Sequence, residues 1–166
     1  AYNIISTQDG GLFFNGFLDV TASDGAGMDG KKSNKGQKHG VGEFWCHKLD
    51  GNGILQWRRY FGGTSNDRSY DAIETLEGDF VLVGSSESQD VDVSNPQGSY
   101  DAWIVKINAF GELLWETTVG GSEIDFAYDS VQLNNGTIIA VGETNSSDGD
   151  ILENKGFTDV LIIKIN

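Results

Sequence analysis

The chain has few of the residues that stabilise or activate small proteins. Of its 166 residues, one is cysteine, one is proline and two are histidine. The single cysteine, Cys46, cannot form an internal disulfide, and its apolar neighbours indicate a buried structural thiol. The isolated His39 and His47 do not make a zinc site, and no Ser-His-Asp spacing accompanies them. The sequence therefore predicts neither a disulfide scaffold nor a familiar hydrolytic centre.

Positive charge and long apolar runs are scarce as well. The chain has 11 lysines and arginines against 25 aspartates and glutamates, a formal net charge of −14. Such an acidic surface repels nucleic acid and anionic lipid, so we expect neither as a partner. No apolar run approaches the roughly 20 residues of a membrane span, and no signal-peptide core is present. This composition favours a secreted or cell-surface protein without membrane insertion.

What the chain does have is glycine, 23 residues, and a clear internal repeat. The period is 58 residues (115 − 57 = 58) without a gap. Matched pairs in this register are Trp57 and Trp115, Gly62 and Gly120, Asp67 and Asp125, Tyr70 and Tyr128, and Gly84 and Gly142. The N-terminal stretch joins at a longer offset, because Tyr2 and Gly16 match Tyr70 and Gly84 (70 − 2 = 68). A repeat of this size is typical of a propeller, a solenoid or an array.

Each repeat contains four short apolar or β-branched runs separated by turn residues. Residues 134–136, Asn-Asn-Gly, form a hairpin signal before the β-branched run 137–142. No segment shows a sustained helical period. We therefore predict an all-β chain of four-stranded antiparallel propeller blades, with at least ten strands and no helix longer than about two turns. A β-solenoid is the alternative, although its strands are parallel and lack tight hairpins.

The repeat divides the chain into about three blades. We predict blade 1 at residues 1–63 with an inserted loop at 17–42, blade 2 at 64–121, and blade 3 at 122–166 without its outermost strand. A closed propeller needs about four to eight blades. Either the protein is longer, so that neighbouring blades complete the ring, or several chains assemble.

Residues 60–67 read Tyr-Phe-Gly-Gly-Thr-Ser-Asn-Asp and residues 119–125 read Val-Gly-Gly-Ser-Glu-Ile-Asp, each followed by an apolar strand ending in glycine. This pattern resembles the seven-bladed bacterial beta-propeller repeat. The resemblance implies a large secreted or cell-surface protein of Bacteroidota, and a substrate of a dedicated outer-membrane (type IX) secretion system. The family has no common catalytic motif to transfer. The chain departs from its pattern at the expanded loop 17–42 and at Ala1, which no Gly-Gly loop precedes.

Paired aspartates in the long loops are the candidate metal ligands. Asp90 and Asp92 lie in one loop, and Asp148 and Asp150 occupy the matching positions in the next repeat. Asp-x-Asp can supply several of the six to eight oxygen ligands of Ca²⁺, although aspartates that only cap loop turns would give the same pattern. Asp67 and Asp125, which follow the Gly-Gly pairs, are expected to accept backbone N–H groups.

The functional expectation rests on the loops between second and third strands, at 17–42, 85–100 and 143–158, which should share one face. The first of them holds four lysines within residues 28–39. We expect a non-catalytic scaffold that binds a protein or glycan ligand there. There are two alternatives. The chain is part of a carbohydrate-active enzyme, or it is a passenger segment held by secretion machinery. The repeated tryptophans are expected to pack between blades.

Overall fold

The computed structural model describes residues 1–18, 40 and 42–166, and this part of the chain contains β-strands and no helix. It therefore offers no helix long and apolar enough to cross a bilayer. The all-β prediction is confirmed. The strands are β1 Asn3–Ser6, β2 Leu12–Leu18, β3 Glu43–Leu49, β4 Leu55–Phe61, β5 Asp67–Glu74, β6 Phe80–Ser86, β7 Asp101–Ile107, β8 Leu113–Val119, β9 Asp125–Gln132, β10 Ile138–Thr144 and β11 Asp159–Ile165.

These strands form three antiparallel sheets in which each strand pairs with its neighbour in the chain. Sheet 1 holds β1 to β4, sheet 2 holds β5 to β8, and sheet 3 holds β9 to β11. The turn between the first two strands of each sheet has a glycine at positive φ, namely Gly10, Gly78 and Gly136 (81°, 85° and 86°). Only glycine adopts this conformation without strain, so the repeated glycine specifies the repeated hairpin.

The sheets pack face to face through two separate apolar cores. The first core joins sheets 1 and 2 and is formed by Phe13, Phe44, Cys46, Trp57, Phe61, Ala72, Phe80, Leu82, Val93, Trp103, Val105 and Ile107. The second joins sheets 2 and 3 and is formed by Val81, Val83, Ala102, Ile104, Ala127, Ile138, Ala140, Ile151, Leu161 and Ile163. Sheet 2 is therefore covered on both faces, which explains why β6 and β7 read as almost continuous apolar runs.

Packing between sheets accounts for part of the tryptophan repeat. Trp103 is fully buried, and its ring lies edge-on to Phe44 with 4.5 Å between centroids. Trp57 is also buried, whereas Trp45 and Trp115 are only partly buried. Trp115 packs against the second core, so the expected packing between blades holds for Trp57, Trp103 and Trp115. Trp45 is the exception, because it lies on the face of sheet 1 that points away from sheet 2.

A β-bulge recurs in the first strand of sheets 2 and 3. The pairing of β5 with β6 shifts between Ser69 and Asp71, so Tyr70 is the additional residue. The pairing of β9 with β10 shifts in the same way, and Tyr128 is the additional residue there. A bulge changes the direction of a side chain relative to the strand. The sequence pattern alone does not predict these bulges.

Glycine opposite each bulge permits a close backbone approach. A Cβ built on Gly142 would overlap the carbonyl of Phe126, which is backbone and has little freedom to move. We expect Gly142→Ala to lower the free energy of unfolding by about 1–3 kcal/mol, because the extra methyl strains the bulge. The measurement is urea denaturation followed by circular dichroism. Gly156→Ala is the control, because its Cβ would enter open space, and we expect a change within about 0.5 kcal/mol. Equal losses in both variants would show that the bulge does not need glycine.

Alternating strand direction places the connections at two opposite ends of each sheet. The loops β6–β7 and β10–β11 lie at the same end as the links β4–β5 and β8–β9 from one sheet to the next. We call this the loop end, and the opposite end, with the tight hairpins, the turn end.

The two described loops cover residues 87–100 and 145–158, because β6 and β10 continue two residues further than expected. Of the expected loop 17–42, residues 17 and 18 belong to β2, while 19–39 and 41, with the lysine cluster and His39, lie outside the described residues.

Candidate functional site

Each link from one sheet to the next is a Gly-Gly corner held by a buried aspartate. Asp67 and Asp125 are both fully buried. The Gly63 N–H donates to Asp67 Oδ2 at 2.8 Å, and the Gly121 N–H donates to Asp125 Oδ2 at 2.9 Å. These are the backbone hydrogen bonds expected from the Gly-Gly-x-x-x-Asp spacing.

Hydroxyl groups from the second strand and the following loop complete the aspartate environment. Ser88 Oγ donates to Asp67 Oδ2 at 2.8 Å, and its counterpart Ser146 Oγ donates to Asp125 Oδ2 at 2.8 Å. Ser86 donates to the other oxygen of Asp67. Burial raises the pKa of Asp67 to about 6, although these hydrogen bonds favour its ionised form. The aspartate thus joins the corner, the second strand and the loop of one repeat.

A second acidic side chain closes over each corner from the preceding sheet. A Cβ on Gly62 would collide with the carboxylates of Asp67 and Glu43, and a Cβ on Gly120 with those of Asp101 and Asp125. Burial raises the pKa of Asp101, and the charges of Asp125 and Asp150 raise it further. The close approach of two carboxylates explains why the first position of each corner is glycine.

The four predicted metal ligands lie around the same corners. Thr64 N–H donates to Asp90 Oδ1 at 2.9 Å, and Gly62 N–H donates to Asp92 Oδ2 at 3.3 Å. The matching contacts in the next repeat are Ser122 N–H to Asp148 Oδ1 at 2.7 Å and Gly120 N–H to Asp150 Oδ2 at 3.4 Å. These side chains therefore act at least as acceptors that fix the loop against the corner. No group of three or more His, Cys, Asp or Glu in the described ranges has a metal-binding arrangement, and calcium binding stays a prediction.

Two clefts of similar size open at the loop end, beside the two corners. The first, of about 440 Å³, is lined by Thr64, Ser65, Glu87, Gln89, Asp90, Gly98 and Ser99. The second, of about 450 Å³, is lined by Glu123, Asn145, Ser147, Gly156 and Phe157. Every lining residue of the second cleft is the 58-residue counterpart of one in the first. The repeat thus produces the same cleft twice, between the corner and the long loop.

The two clefts differ in the side chains that they present. The first has two acidic side chains, Glu87 and Asp90, whereas the second has one, Glu123, and Asn145 occupies the position of Glu87. The second has Phe157, whose side chain is 96 % exposed. Carboxylate, amide and hydroxyl groups can hydrogen-bond to sugar hydroxyls or peptide groups, and an exposed aromatic ring can pack on an apolar ligand surface.

A row of tyrosines runs along the first strands of the three sheets, and the sequence did not predict it. The bulges bring the ring of Tyr70 to 5.8 Å from that of Tyr2 and 5.3 Å from that of Tyr128, centroid to centroid. Beside them, Asp71 accepts from Asn3 Nδ2 at 2.6 Å and from Ser130 N–H at 3.0 Å. Asp71 thus links all three sheets. The recurrence of tyrosine at these positions was visible in the sequence, but its orientation depends on the bulge.

Compared with known proteins, the chain matches no family model and no curated protein.

Proposed function

We propose that the chain is a non-catalytic propeller segment of a secreted or cell-surface bacterial protein, and that it binds a protein or glycan ligand through its loop end. The observation that carries this proposal is the pair of repeat-equivalent clefts at that end. A ligand with a repeating structure could occupy both clefts, and two linked contacts raise affinity beyond either one alone.

The propeller part of the proposal is supported by the way contacts recur between successive sheets. Gln8 N–H of sheet 1 donates to Glu74 Oε2 of sheet 2 at 2.7 Å, and Leu76 N–H of sheet 2 donates to Gln132 Oε1 of sheet 3 at 2.7 Å. These two bonds join equivalent positions of successive repeats. Sheets that are related by the same repeated contact are arranged regularly, as the blades of a propeller are. All pairings between the named strands are antiparallel, as in propeller blades and unlike a β-solenoid.

The same proposal includes three further claims. The protein is secreted, its repeat is the seven-bladed bacterial beta-propeller repeat, and its long loops bind calcium. The Gly-Gly corners with their buried aspartates are the part of the resemblance that has a clear physical role here. The net charge of −14 favours solubility outside the cell and a neutral or basic ligand. In this proposal Asp90 and Asp92, or Asp148 and Asp150, supply the carboxylate ligands of a calcium ion.

Ligand screening with cleft variants tests the binding proposal. A glycan array and a peptide array would be probed with the wild type and with the double variant Glu87→Ala, Asn145→Ala. We expect the double variant to lose at least about tenfold in affinity for the ligand identified, because each cleft loses a hydrogen-bonding group. Asn52→Ala, in the exposed β3–β4 turn at the turn end, is the matched control and should bind normally. If only the Asn52 variant loses affinity and the cleft variant binds normally, the ligand binds at the turn end and the proposal is wrong.

A further inference from the structure

A group of contacting residues beside the first cleft departs from the 58-residue repeat. We call this group the polar cluster, and its members are Asn66, Arg68, Glu87 and Tyr100. The residues at the same repeat positions beside the second cleft are Ile124, Phe126, Asn145 and Thr158. The corner aspartates and the bulged tyrosines, by contrast, are identical in both repeats. Because the second repeat builds the same corner and loop without the polar cluster, the fold itself does not require these side chains.

Glu87 connects the polar cluster to the first cleft, which it lines. Its Oε2 accepts from Asn66 Nδ2 at 2.7 Å and from the Tyr100 hydroxyl at 3.2 Å. Its other oxygen, Oε1, accepts no hydrogen bond from the described residues. Asn66 and Tyr100 thus hold the carboxylate in one orientation and leave one of its oxygens available to a ligand.

Arg68 has a guanidinium group that two aromatic rings hold in place. Its central carbon lies 5.5 Å from the ring centre of Phe17 in sheet 1 and 5.7 Å from that of Tyr100. The residue is half-buried, and within the described ranges its N–H groups make no hydrogen bond or ion pair. Arginine carries five donors in a planar fork, and a fork that is already oriented loses little entropy when it bonds to a ligand.

The first cleft itself is lined by polar groups. Its volume of about 440 Å³ lies within the range of roughly 300–1,000 Å³ that is usual for small-molecule sites. The side chains of Ser65, Gln89 and Ser99 line it and make no hydrogen bond within the described part of the chain. Protein ligands take most of their affinity from a few buried anchors, often aromatic ones, and the lining offers these no apolar wall. Sugar hydroxyls, which donate and accept at once, match it better.

We propose that the first cleft binds a neutral glycan, and that Arg68 and Glu87 hydrogen-bond to adjacent hydroxyl groups of one sugar ring. Both residues lie against Tyr100, Glu87 at its hydroxyl and Arg68 at its ring face. Arg68 can only donate and Glu87 Oε1 can only accept, so the pair matches one hydroxyl used as an acceptor and one used as a donor. The net charge of −14 disfavours a polyanionic glycan. This inference rests on the proposed binding at the loop end and names the ligand class of one cleft.

A glycan array followed by calorimetry tests the ligand class. The array carries neutral cello-, xylo- and manno-oligosaccharides, with oligogalacturonates as the acidic counterpart. We expect a neutral oligosaccharide to bind, and the oligogalacturonates to bind at least about tenfold more weakly. Raising the salt concentration should change the affinity for the neutral ligand by less than about twofold, because salt screens interactions between charges. Tighter binding of the acidic series, weakened by salt, would overturn the proposal.

Single substitutions taken from the other repeat test the residues. Arg68→Phe and Glu87→Asn each introduce the residue that the next repeat holds at the same position, so the fold should persist, which circular dichroism would check. Each variant should bind the neutral oligosaccharide at least about tenfold more weakly, because a hydrogen bond to a charged group is lost. Phe157→Ser is the matched control. It gives the second cleft the residue found at Ser99 of the first, and it should bind like the wild type.

The outcomes separate this inference from the proposed function. If both charge variants bind like the wild type, or if only Phe157→Ser loses affinity, the glycan does not bind at the first cleft, although binding at the loop end remains. The inference also fails if no neutral glycan binds and a peptide binds instead with a dependence on Glu87 and Asn145. A wild type that binds neither glycans nor peptides would contradict the proposed function as well.

Discussion

Replacing Asp67 with alanine is expected to destabilise the chain by about 3 kcal/mol. The alanine leaves the buried Gly63 N–H and the hydroxyls of Ser86 and Ser88 without their acceptor, and each unsatisfied buried donor costs about 1–3 kcal/mol. Asp67→Asn is the matched variant. Its carbonyl oxygen can accept from Gly63 and Ser88 while its amide donates to Ser86, so the loss should be far smaller. Urea denaturation of the three proteins at pH 5 measures both effects, and equal losses for alanine and asparagine would contradict this role of the side chain.

The same pair of proteins gives a pH dependence with a definite sign. The pKa of Asp67 is about 6 in the folded chain against an ordinary value of 3.8, so the folded state holds the proton more tightly than the unfolded state. The contribution of this group to stability is therefore greatest below about pH 4 and falls as the pH rises to about 6. Other acids shift as well, since burial raises the pKa of Asp71 and the hydrogen bond from Lys48 lowers that of Asp9 to about 2. The quantity to follow is the free energy of unfolding of the wild type minus that of Asp67→Asn. We expect this difference to fall between pH 4 and 7, as the wild type loses the contribution of the protonated carboxyl.

Trp103→Ala should cause a loss of similar size or larger. The Trp103 side chain is completely buried between sheets 1 and 2, packs on Phe44, and donates its Nε1–H to Glu116 Oε2 at 2.7 Å. Truncation of a buried aromatic residue costs about 3–5 kcal/mol, because it leaves a cavity that the core fills only in part. The measurement is urea denaturation, with the slope checked for two-state behaviour.

The control for this experiment is Trp45→Ala, since Trp45 is the 58-residue counterpart of Trp103. Trp45 lies on the face of sheet 1 that points away from sheet 2 and is only partly buried, so truncation there removes less buried surface. We expect the Trp45 variant to lose less than half as much as the Trp103 variant. Similar losses would mean that the position in the repeat, and not the cover by a neighbouring sheet, decides the effect.

The sequence predicted those parts of the structure that short patterns determine. The 58-residue period aligned equivalent residues, the glycine turns implied antiparallel hairpins, and the Gly-Gly-x-x-x-Asp spacing implied an aspartate bonded to the corner. Each of these features depends on residues that are close in the chain. The expected loop boundaries were two residues too wide, because the strands continue past Gly84 and Gly142.

The rest depends on contacts between distant residues. The bulges at Tyr70 and Tyr128 arise where a strand meets glycine on its partner strand. The first cleft joins Ser65 to Glu87 and Ser99, which come from a corner and both ends of a long loop. Alternation alone does not reveal which faces of the strands remain uncovered. Ile104 and its counterpart Ile162 are the same residue type, yet the first is completely buried and the second is 67 % exposed.

Spin-label distances at the turn end test the propeller arrangement most directly. Asp9, Glu77 and Asn135 are equivalent exposed positions of the three sheets, and cysteines there can be labelled in pairs because Cys46 is buried. Double electron–electron resonance should give the same distance for 9 to 77 as for 77 to 135. The distance from 9 to 135 should be about 1.4 to 1.85 times that value, the chord expected for a ring of four to eight blades. A distance twice the single step would show a straight stack of sheets, and it would contradict the propeller segment.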